Sequence, residues 1–303
     1  MGIYLAQEKG FFKDQGIDVE VTDIENSGAP MTVLLANGQL DVAGGNLTSG
    51  LFKAIAQEKG AKLVADKGHI GKDTDYIVLL VRKDHLDSGR FKTLKDLRGF
   101  KMGLTALDGV SQQILTDKFL QKGGLGEKDI EFVKLSYAEM NTALKTKSID
   151  ATVQLEPFVA QAEQAGFARV VAKGSEVYPG QQSAALIYSK KFLANRDQAI
   201  RFMMAYLKGV RLYNRSLKDS DARRDVAGIL QKRLGIQDTI GAKMAPVGLN
   251  SDGNLNLLTL DGDLHWYQEK GFLKSDTPTS SLVAKDVVDL SFAREAVRRL
   301  DGK

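Results

Sequence analysis

The sequence predicts an α/β protein of two lobes, and three observations support this fold class. The 303 residues allow two domains of ordinary size. Strand-like and helix-like segments alternate along the chain, which is typical of largely parallel sheets covered by helices. A stretch at positions 27–41 also recurs at positions 136–150. We therefore expect mixed, mostly parallel sheets, with one copy of the repeated unit in each lobe.

The two copies of the repeat align without a gap. Ser27 falls on Ser136 and Asp41 on Asp150, and both copies follow a strand-like run. Each copy reads as a polar loop, a helix and a strand, in the same order. The copies differ in side-chain chemistry, so we expect two lobes that share a backbone plan and present different groups to a ligand.

Local patterns predict the elements of the first lobe. A helix over 1–9 ends at Gly10, which suits a helix C-terminus. Alternating apolar residues at 17–24 predict a strand, and Ser27 can cap the next helix, whose first turn holds Pro30. The elements that follow are predicted at 40–43 (strand), 48–59 (helix), 61–65 (strand) and 76–82 (strand).

The run Tyr76–Arg82 is predicted to be the first crossing between the lobes, and Ser183–Ser189 the return crossing. Lobe 1 is therefore assigned residues 1–82 and 188–303, and lobe 2 residues 83–187. Further elements are predicted as strands at 101–105, 129–132 and 168–172 and as helices at 111–122, 156–165, 196–234, 264–270 and 291–300. An α/β lobe normally begins with a strand, so we expect a first strand, and any export signal, upstream of this chain.

Composition and charge exclude several classes of function. The formal charge is +4 with scattered basic residues, so nucleic-acid binding is not expected. No apolar run in the sequence approaches the length of a membrane span. A chain without cysteine has no disulfide and no Cys-based zinc site, and its three histidines lack helical partners four residues away. We expect neither a metal nor a cofactor.

Familiar catalytic motifs do not occur in the sequence. It has no Gly-x-Ser-x-Gly elbow, no Walker Gly-x-x-x-x-Gly-Lys and no His-Glu-x-x-His. The serines and histidines show no local base arrangement that would activate a nucleophile. We therefore expect no catalytic residues and a protein that is not an enzyme.

Binding signals are stronger, because four loops at predicted strand ends each lead into a helix N-terminus. Helix N-termini offer free N–H donors and the positive end of the helix dipole, which suit anionic or polar ligands. Glycine lets a ligand approach the backbone, and ligands of α/β sheets bind at the carboxyl ends of strands. The candidate ligand-binding residues in these loops are Ser27, Gly28, Ala29, Gly45, Asn46, Thr48, Asp108, Gly109, Ser111 and Glu156.

Other interpretations of these residues stay open. Tyr178 is a further candidate, because it lies near a predicted crossing and could stack against a ligand or belong to the core. Lys67 and His69 follow a predicted strand and could face the same ligand. Some loop side chains could be no more than helix caps, an alternative that applies to Ser27, Thr48, Asp108 and Glu156.

Five segments carry a family resemblance that covers nearly the whole chain. They are Tyr4-Leu-Ala-Gln-Glu-Lys-Gly-Phe-Phe, Ser27-Gly28-Ala29 with Asn37-Gly-Gln-Leu-Asp-Val-Ala, Val81-Arg-Lys-Asp with Leu94-Lys-Asp-Leu-Arg-Gly, Glu156-Pro157 and Asp289-Leu-Ser-Phe-Ala. Together they resemble the nitrate/sulfonate/taurine-type periplasmic binding proteins of ABC importers, a family that also includes binders of thiamine-pyrimidine precursors. Leu155 departs from the pattern, since an aromatic residue often precedes the Glu-Pro pair there.

The resemblance implies the two-lobed type II periplasmic-binding-protein fold, with two crossing segments and a hinge that closes the lobes over a ligand. It implies a small anionic or polar ligand, either sulfonate-, taurine- or nitrate-like or an aromatic or pyrimidine compound. It also implies a monomeric, periplasmic or extracytoplasmic protein that delivers its ligand to an ABC permease in the membrane. The alternative is an enzyme of the same fold that acts on a pyrimidine or other heterocyclic precursor. The related fungal pyrimidine synthases carry a cysteine-rich motif, and this chain has no cysteine.

Overall fold

The chain forms two compact units. The computed structural model describes residues 1–24, 29–56, 60–273, 279 and 281–302, with the backbone alone at 29 and 30. Unit 1 comprises Met1–His69, Gln182–Asp238 and Leu249–Lys303, and unit 2 comprises Ile70–Gln181 and Thr239–Gly248. Within the described ranges, no helix has both the length and the apolar character that a membrane span requires.

Helices and strands alternate along most of the chain. The strands are β1 Val42–Asn46, β2 Lys62–His69, β3 Ile77–Arg82, β4 Lys101–Leu104, β5 Glu131–Lys134, β6 Ala151–Leu155, β7 Ala168–Lys173 and β8 Gln182–Tyr188. The helices are α1 Gly2–Glu8, α2 Phe11–Asp14, α3 Ala29–Ala36, α4 Ser49–Ala54, α5 Lys83–Asp87, α6 Ser111–Lys122, α7 Tyr137–Lys145, α8 Phe158–Ala165, α9 Lys190–Ala194, α10 Arg196–Ser216, α11 Ser220–Leu234, α12 Asp238–Gly241, α13 Leu257–Glu269, α14 Ala284–Val287 and α15 Ser291–Leu300.

Unit 1 contains an antiparallel sheet in the order β1-β8-β2, and its central strand β8 is buried along its whole length. At the end of β8, the ring of Tyr188 packs edge-on against Phe192, Phe202 and Phe292, with ring centroids 4.9 to 6.0 Å apart. These three rings come from α9, α10 and α15, so the aromatic cluster joins the helices to the sheet.

Unit 2 contains a mixed sheet in the order β5-β4-β6-β3-β7. β4 is parallel to β5 and β6, whereas β3 is antiparallel to β6 and β7. Leu79 of β3 belongs to one core with Phe119 of α6, and its neighbours Val78 and Leu80 belong to another core with Met140 of α7. A strand buried on both faces reads as a continuous apolar run, which explains the strong strand signal of this segment.

The fold class is the predicted one, an α/β protein with mixed sheets, but strand directions differ from expectation. Four of the six strand pairs among the described residues are antiparallel. A parallel pair needs a crossover connection, usually a helix. β3 and β8 are instead the strands by which the chain enters units 2 and 1, and both run against their neighbours.

The places where the chain passes between units also differ from the predicted ones. The runs predicted as crossings are strands inside one unit, β3 in unit 2 and β8 in unit 1. Residues 239–248 lie in unit 2 rather than in the lobe predicted for them. The predicted strand at 17–24 is not a strand, because this segment has no hydrogen-bonded strand partner among the described residues. The passages follow His69, Gln181, Asp238 and Gly248.

The repeat seen in the sequence is also a repeat of structure. In unit 1, α3, β1 and α4 follow one another, and α7, β6 and α8 do so in unit 2. Each position number rises by the same 109, from Val42 to Ala151 at the start of the strands and from Ser49 to Phe158 at the start of the following helices. The gap-free alignment therefore extends beyond the strand into the next helix.

Candidate functional site

The end of β1 carries two of the predicted binding residues of unit 1. Gly45 is buried and lies opposite Ala185 of β8. Asn46 is half-buried and lies opposite Ala184. Both residues are held by backbone pairing to the central strand, so their position does not depend on their own side chains.

Thr48, the next predicted residue, caps α4. Its Oγ1 accepts a hydrogen bond from Leu51 N at 3.1 Å, which is the N-cap contact of this helix. Ser27 and Gly28 lie outside the described residues, and only the helical backbone of Ala29 is described. The predicted role of these three residues as ligand contacts therefore stays a prediction.

A β-bulge in β2 directs Lys67 across the sheet. Asp66 and Gly68 pair with adjacent residues of β8, so Lys67 is an extra residue between them. Its side chain lies on Gly44 of β1, where a Cβ would be 2.6 Å from both Cδ and Cε of the lysine. β2 continues to His69, so Lys67 and His69 lie within this strand rather than after it.

The buried carboxylate of Asp66 holds this bulge. Its Oδ1 accepts hydrogen bonds from Gly68 N at 2.9 Å and from Gln182 Nε2 at 2.7 Å. Its Oδ2 accepts one from Asn250 N at 2.6 Å and lies 2.7 Å from His69 Nδ1. These partners lie at or next to three of the places where the chain passes between the units. Asp66 therefore joins three distant parts of the chain inside unit 1.

His69 is the only one of these partners whose charge can change near neutral pH. Burial lowers the pKa of His69, but its hydrogen bond with Asp66 and the charge of that carboxylate outweigh burial and raise the pKa overall. The imidazole is 30% exposed, whereas the Asp66 side chain is fully buried. A protonated His69 would neutralise the Asp66 carboxylate.

In unit 2, two buried glutamines of α6 hold the loop that precedes this helix. Gln112 Oε1 accepts hydrogen bonds from Thr105 N at 2.8 Å and from Thr105 Oγ1 at 2.9 Å, and Gln112 Nε2 donates to Val153 O at 2.6 Å. Gln113 Oε1 accepts one from Gly109 N at 3.2 Å. Gly109 has a φ of 93°, a conformation that favours glycine. The backbone of this loop is therefore held from within α6.

The other predicted residues on this side of unit 2 have varied surroundings. Asp108 is exposed and lies two residues before Val110, the N-cap position of α6. Ser111 is buried as the first residue of α6, and its carbonyl accepts a hydrogen bond from Gln181 Nε2 at 3.1 Å. Tyr178 is half-buried and packs against the larger core of unit 2.

Glu156 is bound at both carboxylate oxygens by backbone donors of unit 2. Its Oε2 accepts a hydrogen bond from Ala160 N at 3.0 Å in α8, and its Oε1 accepts one from Ala245 N at 2.9 Å. Ala245 belongs to the 239–248 segment, so Glu156 ties that returning segment to α8. Burial raises the pKa of Glu156, although both N–H donors act in the opposite direction.

Replacing Glu156 by alanine is expected to loosen the 239–248 segment. The change leaves the N–H groups of Ala245 and Ala160 without an acceptor, which costs about 1–3 kcal/mol. Hydrogen exchange at Ala245 should accelerate accordingly, while Gln161→Ala, an exposed change on the same helix, should leave it unaltered. Unchanged protection of Ala245 in Glu156→Ala would show that the segment is held by other contacts.

The same carboxyl predicts a pH dependence. Because the folded pKa of Glu156 lies above its unfolded value of 4.5, protonation of this group favours the folded state. This contribution is fully present below pH 4.5 and is lost as the pH rises through the folded pKa. A Glu156→Gln variant should lack this part of the pH dependence.

Several residues that shape these regions were missed by sequence reasoning. They are buried polar side chains that hydrogen-bond to backbone groups of loops and strands, and their only local signal is a polar residue inside an apolar pattern. Within the described ranges, no group of three His, Asp or Glu side chains could hold a metal ion. The missed residues are Asp66, Gln112, Gln113, Gln181 and Gln182.

Comparison with known proteins identifies the family. The model of the family described as "NMT1/THI5 like" matches residues 1–214. The protein YtlA of Bacillus subtilis (strain 168) is 28% identical over 229 residues, which is 74% of this chain and 66% of YtlA. The chain thus spans less than two thirds of the length of this curated relative.

Solved structures resemble the chain over nearly its whole length. The nitrate-binding protein NrtA from Synechocystis PCC 6803 has a TM-score of 0.76 at 15% identity and is matched over 100% of this chain and 86% of its own. The aliphatic sulphonate binding protein SsuA from Escherichia coli has a TM-score of 0.72 at 17% identity, over 95% and 88%. The desulfurization enzyme DSZB has a TM-score of 0.65 at 15% identity, over 99% and 96%. The solved structures show the fold of the chain, and the family model matches most of its sequence. The chain belongs to the NMT1/THI5-like family.

Proposed function

We propose that the protein is the extracytoplasmic solute-binding component of an ABC importer. The observation that carries this proposal is the duplicated helix–strand–helix, which gives each unit a structured strand end followed by a helix. In unit 1 the strand end is glycine-rich, and in unit 2 the loop before α6 is held by buried glutamines. Loops whose backbone is already held in place suit a small-molecule binding site, because such sites are usually largely pre-formed.

The proposed ligand is a small anionic or polar molecule, and the relatives support this class. NrtA is named for nitrate and SsuA for aliphatic sulphonates, and both ligands are anions whose charge is spread over oxygen atoms. YtlA carries the name of a binding protein. The proposed ligand contacts are the residues predicted from the sequence. They are Ser27, Gly28, Ala29, Gly45, Asn46 and Thr48 in unit 1 and Asp108, Gly109, Ser111, Glu156 and Tyr178 in unit 2.

The proposed partners follow from this role. A solute-binding component delivers its ligand to a permease in the membrane, so the protein would act outside the cytoplasm. The proposed form of the protein is a monomer. Closure of the units around a hinge is the transition that such a receptor would use to signal that it is loaded.

A thermal-shift panel tests the proposal directly. The panel holds nitrate, taurine, ethanesulfonate, benzoate and cytosine, each from micromolar to millimolar concentration. A ligand present at about 100 times its Kd should add roughly 2.7 kcal/mol to the free energy of unfolding. A concentration-dependent rise in Tm with one chemical class is expected. Absence of a shift with every compound would count against the receptor function.

The second candidate is an enzyme of the same fold, and the likeness to DSZB is the observation that favours it. The two functions differ in what happens to the bound molecule. Mass spectrometry of the ligand after prolonged incubation should recover it unchanged for a receptor. Recovery of an altered compound, in an amount that grows with time, would support the enzyme instead.

A further inference from the structure

The side chain of Lys67 is placed by the sheet rather than by a charged partner. The bulge in β2 turns this residue out of the regular strand alternation, and its stem lies on Gly44 two strands away. Bulges commonly redirect a side chain next to a functional site. Both the backbone and the side chain of Lys67 are held in place. The Asp66 carboxylate holds the backbone of the bulge, and the side-chain stem packs on Gly44, which has no Cβ.

The ammonium group of Lys67 forms no ion pair or hydrogen bond with any residue that the structure describes, although the side chain is half-buried. The negative charges of Asp23 and Asp66 act on Lys67, and both raise its pKa and so favour the protonated lysine. Asp23 instead accepts a hydrogen bond from the hydroxyl of Tyr4, and Asp66 is occupied by its own donors. Burial lowers the pKa of Lys67, because the cation loses water there without gaining a contact.

We propose that Lys67 binds the anionic group of the solute, at the glycine-rich end of β1. This inference rests on the proposed function and narrows its ligand to an oxyanion such as nitrate, sulfonate or carboxylate. A partly desolvated ammonium gains most from a ligand that brings the opposite charge, because an unpaired buried charge is costly. Gly44 leaves room for the lysine stem because it has no Cβ, and Gly45 is the next residue of the same strand.

A purely structural lysine would have a different arrangement. A cation that balances Asp66 should touch its carboxylate, yet both oxygens of Asp66 are taken by neutral N–H donors and by His69. A cation that only covers apolar surface would reach water with its amino group. Lys67 does not touch the Asp66 carboxylate, and burial limits the contact of its ammonium with water. An external anion is therefore the partner that completes its environment.

Binding to the lysine can be measured without knowing the natural solute. Protein labelled with ¹³C at the lysine Cε positions is titrated at constant ionic strength with nitrate, ethanesulfonate and acetate, and with the neutral ethanesulfonamide. The Lys67 signal is assigned by its loss in Lys67→Met. It should shift saturably with at least one anion and not with the sulfonamide, while the signal of the exposed Lys191 stays unchanged. No saturable shift with any of the three anions would overturn the proposal.

Affinity measurements with the best anion test the role of the charge. Lys67→Met should weaken binding by roughly 10- to 100-fold, as expected for loss of a charge-assisted hydrogen bond. Lys191→Met, which removes the same charge from the surface of unit 1, should bind within about twofold of the unchanged protein. If Lys67→Met binds the anion as tightly as the unchanged protein, the proposal is wrong.

Gly44→Ala tests the placement of the lysine without removing it. The new methyl group would lie 2.6 Å from the lysine stem and force it to move. Binding should weaken in the Gly44→Ala variant but should not weaken further when the change is added to Lys67→Met, because the affected group is then absent. Equal effects in both backgrounds would mean that the alanine acts on the strand rather than on Lys67.

The outcomes separate this inference from the proposed function. An anion that raises the Tm but leaves both the Lys67 signal and the Lys67→Met affinity unchanged would retain the receptor and reject Lys67 as its anion contact. A saturable response of Lys67, without stabilisation by any organic compound of the panel, would retain the anion site and reject the receptor for those solutes.

Discussion

Replacing Asp66 by alanine is expected to lower the free energy of unfolding of unit 1 by about 3–5 kcal/mol, the usual cost of removing one partner from a buried charged network. The change leaves Gly68 N and Asn250 N without acceptors, and it removes one of the acceptors of Gln182 Nε2. Urea unfolding followed by tryptophan fluorescence reports the unfolding of unit 1, because the single tryptophan, Trp266, lies in α13 of that unit.

The Asp66 prediction has a matched control and a conservative variant. Asp18→Ala removes an exposed carboxylate from the same unit and should change stability by less than about 0.5 kcal/mol. Asp66→Asn keeps the shape but replaces one acceptor oxygen by an NH₂ donor, so it should cost less than the alanine change and still more than 1 kcal/mol. If the alanine variant unfolds at the same urea concentration as the unchanged protein, Asp66 does not stabilise unit 1 as proposed.

Asp150→Ala is expected to have the largest effect on unit 2, about 2–4 kcal/mol. The carboxylate accepts a hydrogen bond from Lys101 N at 2.9 Å and lies 2.6 Å from His85 Nε2 and 3.3 Å from Arg82. It therefore joins the start of β4 to the end of β3 and to α5. Hydrogen exchange of the Lys101 amide, compared with that of Trp266 in unit 1, should show the loss in unit 2 alone.

The contribution of Asp150 should depend on pH in a defined direction. Burial alone would raise the pKa of Asp150, but the hydrogen bonds from Lys101 N and His85, with the charges of His85 and Arg82, bring it below 3.8. A group with a depressed folded pKa contributes stability that is present above its unfolded pKa and is lost as the pH falls through the folded value. The stability difference between the unchanged protein and Asp150→Asn should therefore be greatest near neutral pH and should shrink below about pH 4.

The repeat supplies the control for Asp150. Asp41 occupies the equivalent position in unit 1, but its side chain is 55% exposed and lies 3.8 Å from Lys191 Nζ. Asp41→Ala should therefore cost less than about 1 kcal/mol. Equal losses from Asp41→Ala and Asp150→Ala would contradict the structural difference between the two copies.

The elements that sequence reasoning predicted well are those with local signals. α1 ends at Glu8, its C-cap is Lys9, and Gly10 follows in the left-handed conformation that the glycine pattern predicts after a helix. α6 occupies the predicted positions and β3 nearly does, because Gly123 and Gly124 mark the end of the helix and a short run rich in β-branched and apolar residues marks the strand. The predicted strand at 17–24 failed because a strand needs a partner, and alternation alone does not supply one.

Assignment of elements to units was harder than assignment of their type. The apolar run Tyr76–Arg82 predicts a crossing between lobes, whereas residues 77–82 form a strand inside unit 2. An apolar run shows that a segment is buried and leaves open which sheet buries it. The 239–248 segment gave no signal for unit 2, because its tie to Glu156 is made by a backbone N–H that every residue except proline carries.

The candidate site divides in the same way. The α/β class and the duplicated helix–strand–helix could be predicted, because periodicity and turn residues are local properties and a repeat is found by comparing two stretches of chain. The strand after Asp41 was predicted at 40–43, whereas β1 continues through Gly45 to Asn46. The roles of Asp66 and Lys67 could not be predicted in this way. Asp66 meets Gln182 across 116 positions and Asn250 across 184, and Lys67 reaches a second strand through a bulge. Such contacts depend on which strands become neighbours, a choice made by the packing of the whole unit rather than by any single stretch of chain.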